Sequence, residues 1–496
     1  MINTSTPMRI KRIFLLIALL SLYSTNFAQL LQKNTDSIGS KTSNSKKYAA
    51  NSVLESGNWY KIGLKNTGIY KITYNDLVAM GINPTNINPK NIRIYGNGGG
   101  MLPEANSSFR FDDLHENAIF VSGEDDGTFD AKDYILFYGQ SPNTWTYNSQ
   151  TSRFEHSLNI YSDYTYYFIT TDLGEGKRIE SLSSSELPAT ETVTQFNDYA
   201  FHEQDDINVT RSGKIWLGET FDALTTYHFP FTFADIDPTF PVILTANVAA
   251  FSSVSSNFSI SVNNVSSNKL YLSLDQVADI YTMATGSFGT KNFSSTGPSI
   301  DVKVEYSKPS STSKGWLNYL ELNVVRNLNF SGGQMNFRNT SSVGQNKVAE
   351  FILSNATSNV TVWDVTANGD AKKAETTLSN NQLHFRWPSD TLHEFIAFDG
   401  STFMTTEFIE KVENQNLHAI APTDLVIISH PAFLDEAYRL ATFHASNDNM
   451  SVTVTTPQKI YNEFSSGAQD ISGIRDFIKM LWDKGAQVNG PHYLLL

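Results

Sequence analysis

The sequence predicts a mixed, multidomain protein: a β-rich amino-terminal domain, a β-sandwich, and a last segment of α/β structure with a parallel sheet. Many short runs alternate apolar and polar residues and are separated by Ser, Asn and Gly, a pattern typical of strands joined by turns. Near residue 422 the pattern changes to apolar runs separated by helical spacing, which favours parallel strands covered by helices. A length of 496 residues allows each part its own core.

The first residues have the pattern of an export signal. A basic patch with Arg9 and Lys11 precedes an apolar run at 13–22 that is too short to span a bilayer comfortably. Residues 1–28 are therefore predicted to be a signal peptide, and an uncleaved anchor is the alternative. Residues 29–50 are polar and aperiodic, which predicts a flexible mature amino terminus.

Residues 51–180 are predicted to form the first β-rich domain. Two alternating runs, NWYKIGL and GIYKITY, are separated by a Lys-Asn-Thr-Gly stretch, which indicates a hairpin with Gly68 at the turn. A short helix from Tyr74 to Met80 is predicted next, with Gly81 as its carboxyl-terminal cap.

A β-sandwich is predicted at residues 195–400, after a polar linker at 180–194. The runs FSISVNNV, IDVKVEY and YLELNVV alternate apolar and polar residues, and no helical pattern separates them. Turn residues between the runs complete a pattern typical of antiparallel sheets.

Residues 422–496 are predicted to be the start of an α/β domain. Predicted strands at 424–429, 451–455 and 492–496 alternate with helical patterns, and crossover helices between apolar strands imply a parallel sheet. The residues predicted to form the buried faces of the two longer helices are Leu434, Ala437, Tyr438 and Ala441, and Ile471, Ile474, Ile478 and Trp482. Because a parallel strand is buried on both faces, the last run needs further helices, and the sequence predicts a domain cut at its third strand.

The acidic stretch SGEDDGTFDAKD at 122–133 is a candidate calcium loop. Gly127 takes the position of the sharp turn, while a Ser stands where the first Asp of such a loop is expected. The carboxylates that fall on ligand positions three, five, nine and twelve are Glu124, Asp126, Asp130 and Asp133. A structural calcium ion is the only cofactor that the sequence suggests, and a solvated, metal-free hairpin loop is the alternative.

Composition excludes some classes of function. A formal net charge of −14 argues against nucleic acid as a partner, since nucleic acid is bound through clustered Lys and Arg. The chain contains no Cys, so it holds no disulfide, no Cys-based metal site and no thiol nucleophile of its own.

One histidine has a position that matters in parallel sheets. His430 directly follows the first predicted parallel strand, where such sheets carry reactive residues, so it is a formal candidate for a general base. No acid or nucleophile can be named to work with it, and a structural role for His430 in the loop before Pro431 is the favoured interpretation.

Three stretches of the chain carry a family resemblance. They are GNWYKIGLKNTGIYKITYNDLVAMG at 57–81, SGKIWLGETF at 212–221, and IYNEFSSGAQDISGIRDFIKMLWDK at 460–484, which HYLLL follows. Together they resemble the sortases of the type IX secretion system of Bacteroidetes, which are gingipain-type cysteine peptidases. The third stretch is the most specific and is similar to the start of the gingipain catalytic domain, a caspase-like α/β fold. In that family the catalytic His and Cys come after the third strand, which implies that both lie beyond Leu496 and that no catalytic residue is present here.

The resemblance implies an enzyme of the cell surface. Such a cysteine peptidase or transpeptidase would remove the carboxyl-terminal sorting domains from exported cargo proteins, through an acyl-enzyme that water or an amine resolves. It would be held at the outer membrane by a barrel partner, PorV, through a carboxyl-terminal domain that this chain lacks. The chain alone is then expected to be inactive.

Two other functions remain open. The β domains could form a non-catalytic surface binding module for cargo or glycan, with the α/β part as a remnant. A gingipain-like protease with broad substrates is the third possibility, and the long Ser/Asn/Thr-rich sandwich fits a sortase better.

Overall fold

A computed structural model describes residues 48–209, 211, 213–279, 281–295, 297–485 and 489–496, so the predicted signal peptide and most of the predicted flexible segment lie outside the described residues. The amino-terminal part consists of short strands and one short helix. In chain order these are β1 (Trp59–Leu64), β2 (Gly68–Thr73), α1 (Tyr74–Ala79), β3 (Arg93–Tyr95), β4 (Glu116–Asn117), β5 (Phe120–Ser122), β6 (Tyr134–Gly139), β7 (Thr144–Asn148), β8 (Arg153–Ser157) and β9 (Thr165–Thr170). α1 ends next to Gly81, whose φ of 85° is left-handed, as predicted.

β1 and β2 do not form the predicted hairpin. β1 pairs antiparallel with β9 on one side and, on the other, with Glu407–Val412, a strand from much later in the chain. β2 instead pairs antiparallel with β6 in a separate three-stranded sheet. The prediction was wrong because both edges of β1 are occupied, and an alternating pattern does not encode which strand becomes the neighbour.

The middle of the chain is composed of strands. In order they are β10 (Glu180–Leu182), β11 (Glu191–Val193), β12 (Gln195–Glu203), β13 (Thr220–Phe221), β14 (Thr226–Thr232), β15 (Pro241–Phe251), β16 (Ser256–Val262), β17 (Lys269–Leu274), β18 (Thr285–Ser294), β19 (Ser299–Ser307), β20 (Lys314–Asn327), β21 (Gln334–Phe337), β22 (Val348–Ser354), β23 (Thr361–Asp364), β24 (Lys372–Ala374), β25 (Thr377–Ser379), β26 (Gln382–Pro388), β27 (Phe395–Phe398) and β28 (Glu407–Val412). The mostly β composition matches the fold class predicted from the sequence.

The range 195–400, predicted as one sandwich, contains strands of two. Sheets β12-β20-β15-β18 and β14-β19-β16-β17 enclose one core, which includes Phe258 and Leu320. Sheets β10-β24-β23-β27-β21 and β11-β22-β26-β25 enclose another, which includes Phe337 and Phe385. Turn signals mark where strands end but not which sheet each strand enters, so the sequence could not separate the two cores.

Arg338 joins the two sandwiches. Its side chain is buried, with Nε 2.6 Å from a carboxylate oxygen of Glu394 and Nη1 donating to the carbonyl of Asn197 at 3.1 Å. Its guanidinium also lies 4.6 Å from the ring centre of Tyr199 on β12. A buried guanidinium with this many partners holds the two sandwiches in one arrangement.

The last segment is the predicted α/β unit. Its elements are β29 (Leu425–Ile428), α2 (Leu434–Asn447), β30 (Val452–Thr455), α3 (Pro457–Phe464), α4 (Ile471–Lys484) and β31 (Tyr493–Leu495). The three strands form a parallel sheet in the order β30-β29-β31, which confirms the predicted topology. No helix among the described residues is both long enough and apolar enough to cross a membrane.

The buried face of α4 is not the predicted one. Gly473, Phe477, Met480 and Leu481 are buried, whereas Ile471 is 60% exposed and Trp482 38% exposed. α4 is apolar on two sides, and the side that packs on α3 is the one that becomes buried, with the rings of Phe464 and Phe477 5.5 Å apart. In α2 only Ala437 of the predicted set is buried, and Tyr438 is exposed.

Candidate functional site

The carboxyl ends of β29 and β30 lie side by side, because Ile428 pairs with Thr455 in parallel register. We call this end of the sheet the carboxyl edge, and it is where open parallel sheets bind ligands and react. His430 lies just past it. Its Nδ1 accepts a hydrogen bond of 3.1 Å from the Ala432 N–H, so the ring caps the turn Pro431–Phe433. This contact supports the structural interpretation of His430.

The helices of the same segment are anchored in the amino-terminal part of the chain. Lys61, on β1, is buried, and its Nζ donates to the carbonyl of Gly467 at 2.9 Å and to Asn462 Oδ1 at 3.3 Å. The ring of Tyr166 lies 4.4 Å from the same ammonium. Burial lowers the pKa of Lys61 to about 8, and the charge of Glu410 opposes only part of that effect.

Glu463 is the most completely bonded carboxylate at this anchor. It is fully buried near the end of α3, and its oxygens accept four hydrogen bonds. The donors are Gln415 Nε2, the backbone N–H groups of Leu417 and His418, and His418 Nδ1 at 2.6 Å. A carboxylate with this many donors is held in a single orientation.

His418 carries the positive charge of the anchor. It is fully buried, its ring stacks on Phe464 with centres 4.7 Å apart, and its Nε2 lies 3.6 Å from Asp112 Oδ2. Burial alone would lower the pKa of His418, but the nearby Asp112 carboxylate, the hydrogen bond to Glu463 and the charge of Asp113 raise it to about 9. The imidazolium is therefore the dominant form at neutral pH.

Asp113 follows Asp112 in the same loop, and its charge acts on His418. Its Oδ2 accepts from the Val53 N–H at 2.7 Å, and its Oδ1 accepts from the Leu114 N–H at 2.8 Å. Burial raises the pKa of Asp113 to about 6, although the charge of His418 and these two bonds act against the shift. We call His418, Glu463, Asp112 and Asp113 the anchor cluster.

A loop of the amino-terminal part completes the contact with α4. Arg110 Nε lies 2.6 Å from Asp476 Oδ2, and Asp470 Oδ2 accepts from the Leu102 N–H at 2.8 Å. A cavity of about 420 Å³ lies between this loop and the turn from α3 to α4, lined in part by Phe109. The cluster and the loop together hold both helices without using the carboxyl edge.

The predicted calcium ligands already have protein partners. Glu124 forms an ion pair with Arg178 at 2.7 Å, and Asp126 Oδ1 accepts from the Thr128 N–H. Asp130 Oδ1 accepts from the Lys132 N–H, and Asp133, which is buried, accepts from the Asp130 N–H. Within the part of the chain that the structure describes, no group of three or more His, Cys, Asp or Glu side chains is placed to hold a metal ion. The calcium site stays a prediction.

Sequence reasoning did not find the anchor cluster. Its members lie in two regions separated by the strands β4 to β28, so no local spacing brings them together. One residue could have indicated a buried polar contact in this region. It is Lys61, a charged residue within β1, a strand whose six residues are all buried.

Residues 418–496 match the model of peptidase family C25. The match begins at His418 and covers the parallel sheet with its helices, so this segment has the fold of part of a cysteine peptidase domain. No curated protein matches the chain.

The crystal structure of dimeric latent PorU from Porphyromonas gingivalis is similar to almost the whole chain. The TM-score is 0.79 at 25% sequence identity, over 90% of this chain and 42% of the PorU chain. The family resemblance predicted from the sequence is thereby confirmed, and this chain spans less than half the length of PorU. Two carbohydrate-binding modules were also matched, a CBM36 domain from a Trinervitermes trinervoides hindgut metagenome and the CBM35 of Cellvibrio japonicus Abf62. They cover 25% and 26% of this chain and 96% and 97% of their own, at 10% identity each with TM-scores of 0.18 and 0.17, too low to carry an argument.

Proposed function

We propose that this chain is the amino-terminal part of a cell-surface cysteine peptidase or transpeptidase of the type IX secretion system. Its similarity to PorU over 90% of its length, together with the C25 match at 418–496, is the observation that carries the proposal. The enzyme would cleave the carboxyl-terminal sorting domains from exported cargo, and a barrel partner of the PorV type would hold it at the outer membrane.

The chemistry needs a thiolate and a base that this chain does not supply. A thiolate attacks the peptide carbonyl and forms a thioester, which water or an amine then resolves. The chain has no Cys, and His430 is used as a cap. We place the catalytic His and Cys beyond Leu496, and the 496-residue chain alone is then inactive.

The test compares this chain with the product of the continuing reading frame. A fluorogenic peptide that spans a cargo sorting junction is expected to be cut by the longer protein and not by this chain. Iodoacetamide should abolish the activity of the longer protein. Turnover by the 496-residue chain, or a reading frame without a downstream Cys and His, would overturn the proposal and favour a non-catalytic binding module.

A further inference from the structure

α3 connects the carboxyl edge to the amino-terminal part of the chain. Thr456, its N-cap, directly follows β30, so the helix begins at the carboxyl edge. Eight residues at 1.5 Å per residue carry it about 12 Å away from that edge. A shift of α3 would therefore move the residues at the carboxyl end of β30.

The amino-terminal part contacts α3 and the following turn at their distal end. Lys61 bonds to Asn462 and Gly467, and the anchor cluster uses Glu463. At the carboxyl edge, by contrast, the Ser429 N–H donates to the carbonyl of Thr455 within the segment.

We propose that the five-stranded amino-terminal sheet, β28-β1-β9-β3-β4, is a fixed mount for the peptidase segment, with His418 as the charged positioning residue that fastens α3 to it. The mount contacts α3 at the end away from the carboxyl edge, whereas Phe433, just past that edge, is exposed, so the sheet supports the helices and does not cover Phe433. This role of the sheet deepens the proposed function. It rests on that function only in one respect, namely that the carboxyl edge is where the reaction would take place.

His418 stabilises the contact between α3 and the amino-terminal part through the positive charge of its imidazolium. Glu463 is fully buried, so removal of its imidazolium partner leaves an uncompensated charge, which is strongly destabilising. Asp112 of the amino-terminal loop lies 3.6 Å from the ring, the charge of Asp113 in the same loop also acts on it, and Lys484 of α4 donates to the His418 carbonyl. The imidazolium thus joins carboxylates of two separate parts of the chain.

The titrations of the surrounding groups fall in different pH windows. The pKa of His418 is raised from 6.5 to about 9, so its contribution is complete below 6.5 and is lost as the pH rises through 9. The pKa of Asp113 is raised from 3.8 to about 6, so its contribution is lost as the pH rises through 6. The pKa of Lys61 is lowered to about 8 from 10.5, so its contribution is lost as the pH falls through 8. Between pH 6.5 and 8 the change is therefore mainly that of His418.

Hydrogen exchange of the purified chain, corrected for the intrinsic pH dependence of exchange, tests the mount. Protection of α3 and α4 is expected to fall roughly ten-fold from pH 6.5 to 8, while protection of β22 in the second sandwich stays constant. In H418Q the protection of both helices should be lower at pH 6.5 and show no such dependence. H444Q is the matched control, because His444 pairs with Asp448 on α2 and should leave the profile unchanged.

Two results would overturn the inference. One is a wild-type profile in which α3 and α4 show no extra loss of protection between pH 6.5 and 8, a measurement that does not depend on any variant folding. The other is an H418Q chain that keeps the wild-type profile. Neither measurement needs peptidase activity. The role of the amino-terminal sheet as a mount is therefore tested independently of the proposed reaction.

Discussion

Arg110 and Asp476 form a buried ion pair, with Arg110 Nε 2.6 Å from Asp476 Oδ2. Arg110 belongs to the loop between β3 and β4, whereas Asp476 lies on the buried face of α4. The neighbouring Arg475 donates to the carbonyls of Pro103 and Glu104 in the same loop. Two consecutive residues of α4 thus fasten one loop of the amino-terminal part.

Arg110→Met is expected to destabilise the chain by about 1–3 kcal/mol, because Asp476 Oδ2 loses the nearer of two cationic partners and only Arg475, 3.0 Å from Oδ1, remains. The double variant R110M/D476L should recover part of that loss, since the buried carboxylate is removed while Arg475 keeps its hydrogen bonds to the carbonyls of Pro103 and Glu104. Urea unfolding followed by Trp fluorescence measures both. Arg439→Met is the control, because Arg439 pairs with Glu436 on the exposed side of α2 and should change stability by less than about 0.5 kcal/mol. An R110M chain no less stable than the control would contradict the assigned role of the pair.

The parallel sheet could be predicted because its evidence is local. The run DLVIIS is apolar at successive positions, as a strand buried on both faces must be, and the helical spacing that follows separates it from the next strand. The face of α4 could not be predicted in this way. Ile471 and Trp482 have helical spacing, as do Phe477 and Met480, and only the packing against α3 decides between the two stripes.

The anchor cluster lay beyond prediction for a different reason. The pairing of His418 with Glu463 and Asp112 depends on bringing the amino-terminal loop onto α3, which is a property of tertiary structure. A charged side chain is usually exposed to solvent, so the sequence alone does not indicate that these charged residues are buried and paired. The same holds for β1, whose late partner β28 completes its sheet.

Gly99→Ala is expected to destabilise the loop that meets α4. A Cβ at Gly99 would lie 1.9 Å from the carbonyl oxygen of Ser141, so the backbone has to move. We expect a loss of about 1–3 kcal/mol, as for other overpacked sites, measured as a lower midpoint of thermal unfolding. Gly213→Ala is the control, because an added Cβ there meets no atom within 4 Å. Equal midpoints for the two variants would refute the close approach.

His156 fastens the hairpin β7–β8 to the first sandwich, with Nδ1 2.8 Å from Glu321 and Nε2 2.7 Å from Glu203. Burial lowers the pKa of His156, but hydrogen bonds to the two carboxylates outweigh it and raise the pKa above 6.5. Its stabilising contribution is therefore complete below pH 6.5 and is lost as the pH rises through the raised value. Fluorescence of Trp145, whose ring stacks 4.1 Å from that of Tyr199, should report this change.

H156Q should remove that pH dependence from the fluorescence profile. H228Q is the control, because His228 pairs with Asp301 at 2.8 Å on the exposed side of the sandwich and should leave the profile as it is. A pH transition that survives in H156Q would mean that another group causes it.

Lys61→Met tests the cost of a buried ammonium at the mount. The pKa of Lys61 is lowered from 10.5 to about 8, so its contribution is present above 10.5 and is lost as the pH falls through 8. The free energy of unfolding of the wild type minus that of K61M should therefore rise by about 2–3 kcal/mol from pH 7 to pH 10. His418 titrates in both proteins and cancels in the difference. Lys411→Met is the matched control, because Lys411 is exposed on β28, and its difference should stay constant with pH. If the difference in free energy of unfolding between the wild type and K61M does not change with pH, Lys61 is as well solvated as Lys411. The buried contacts of Lys61 with Asn462 and Gly467 would then be wrong.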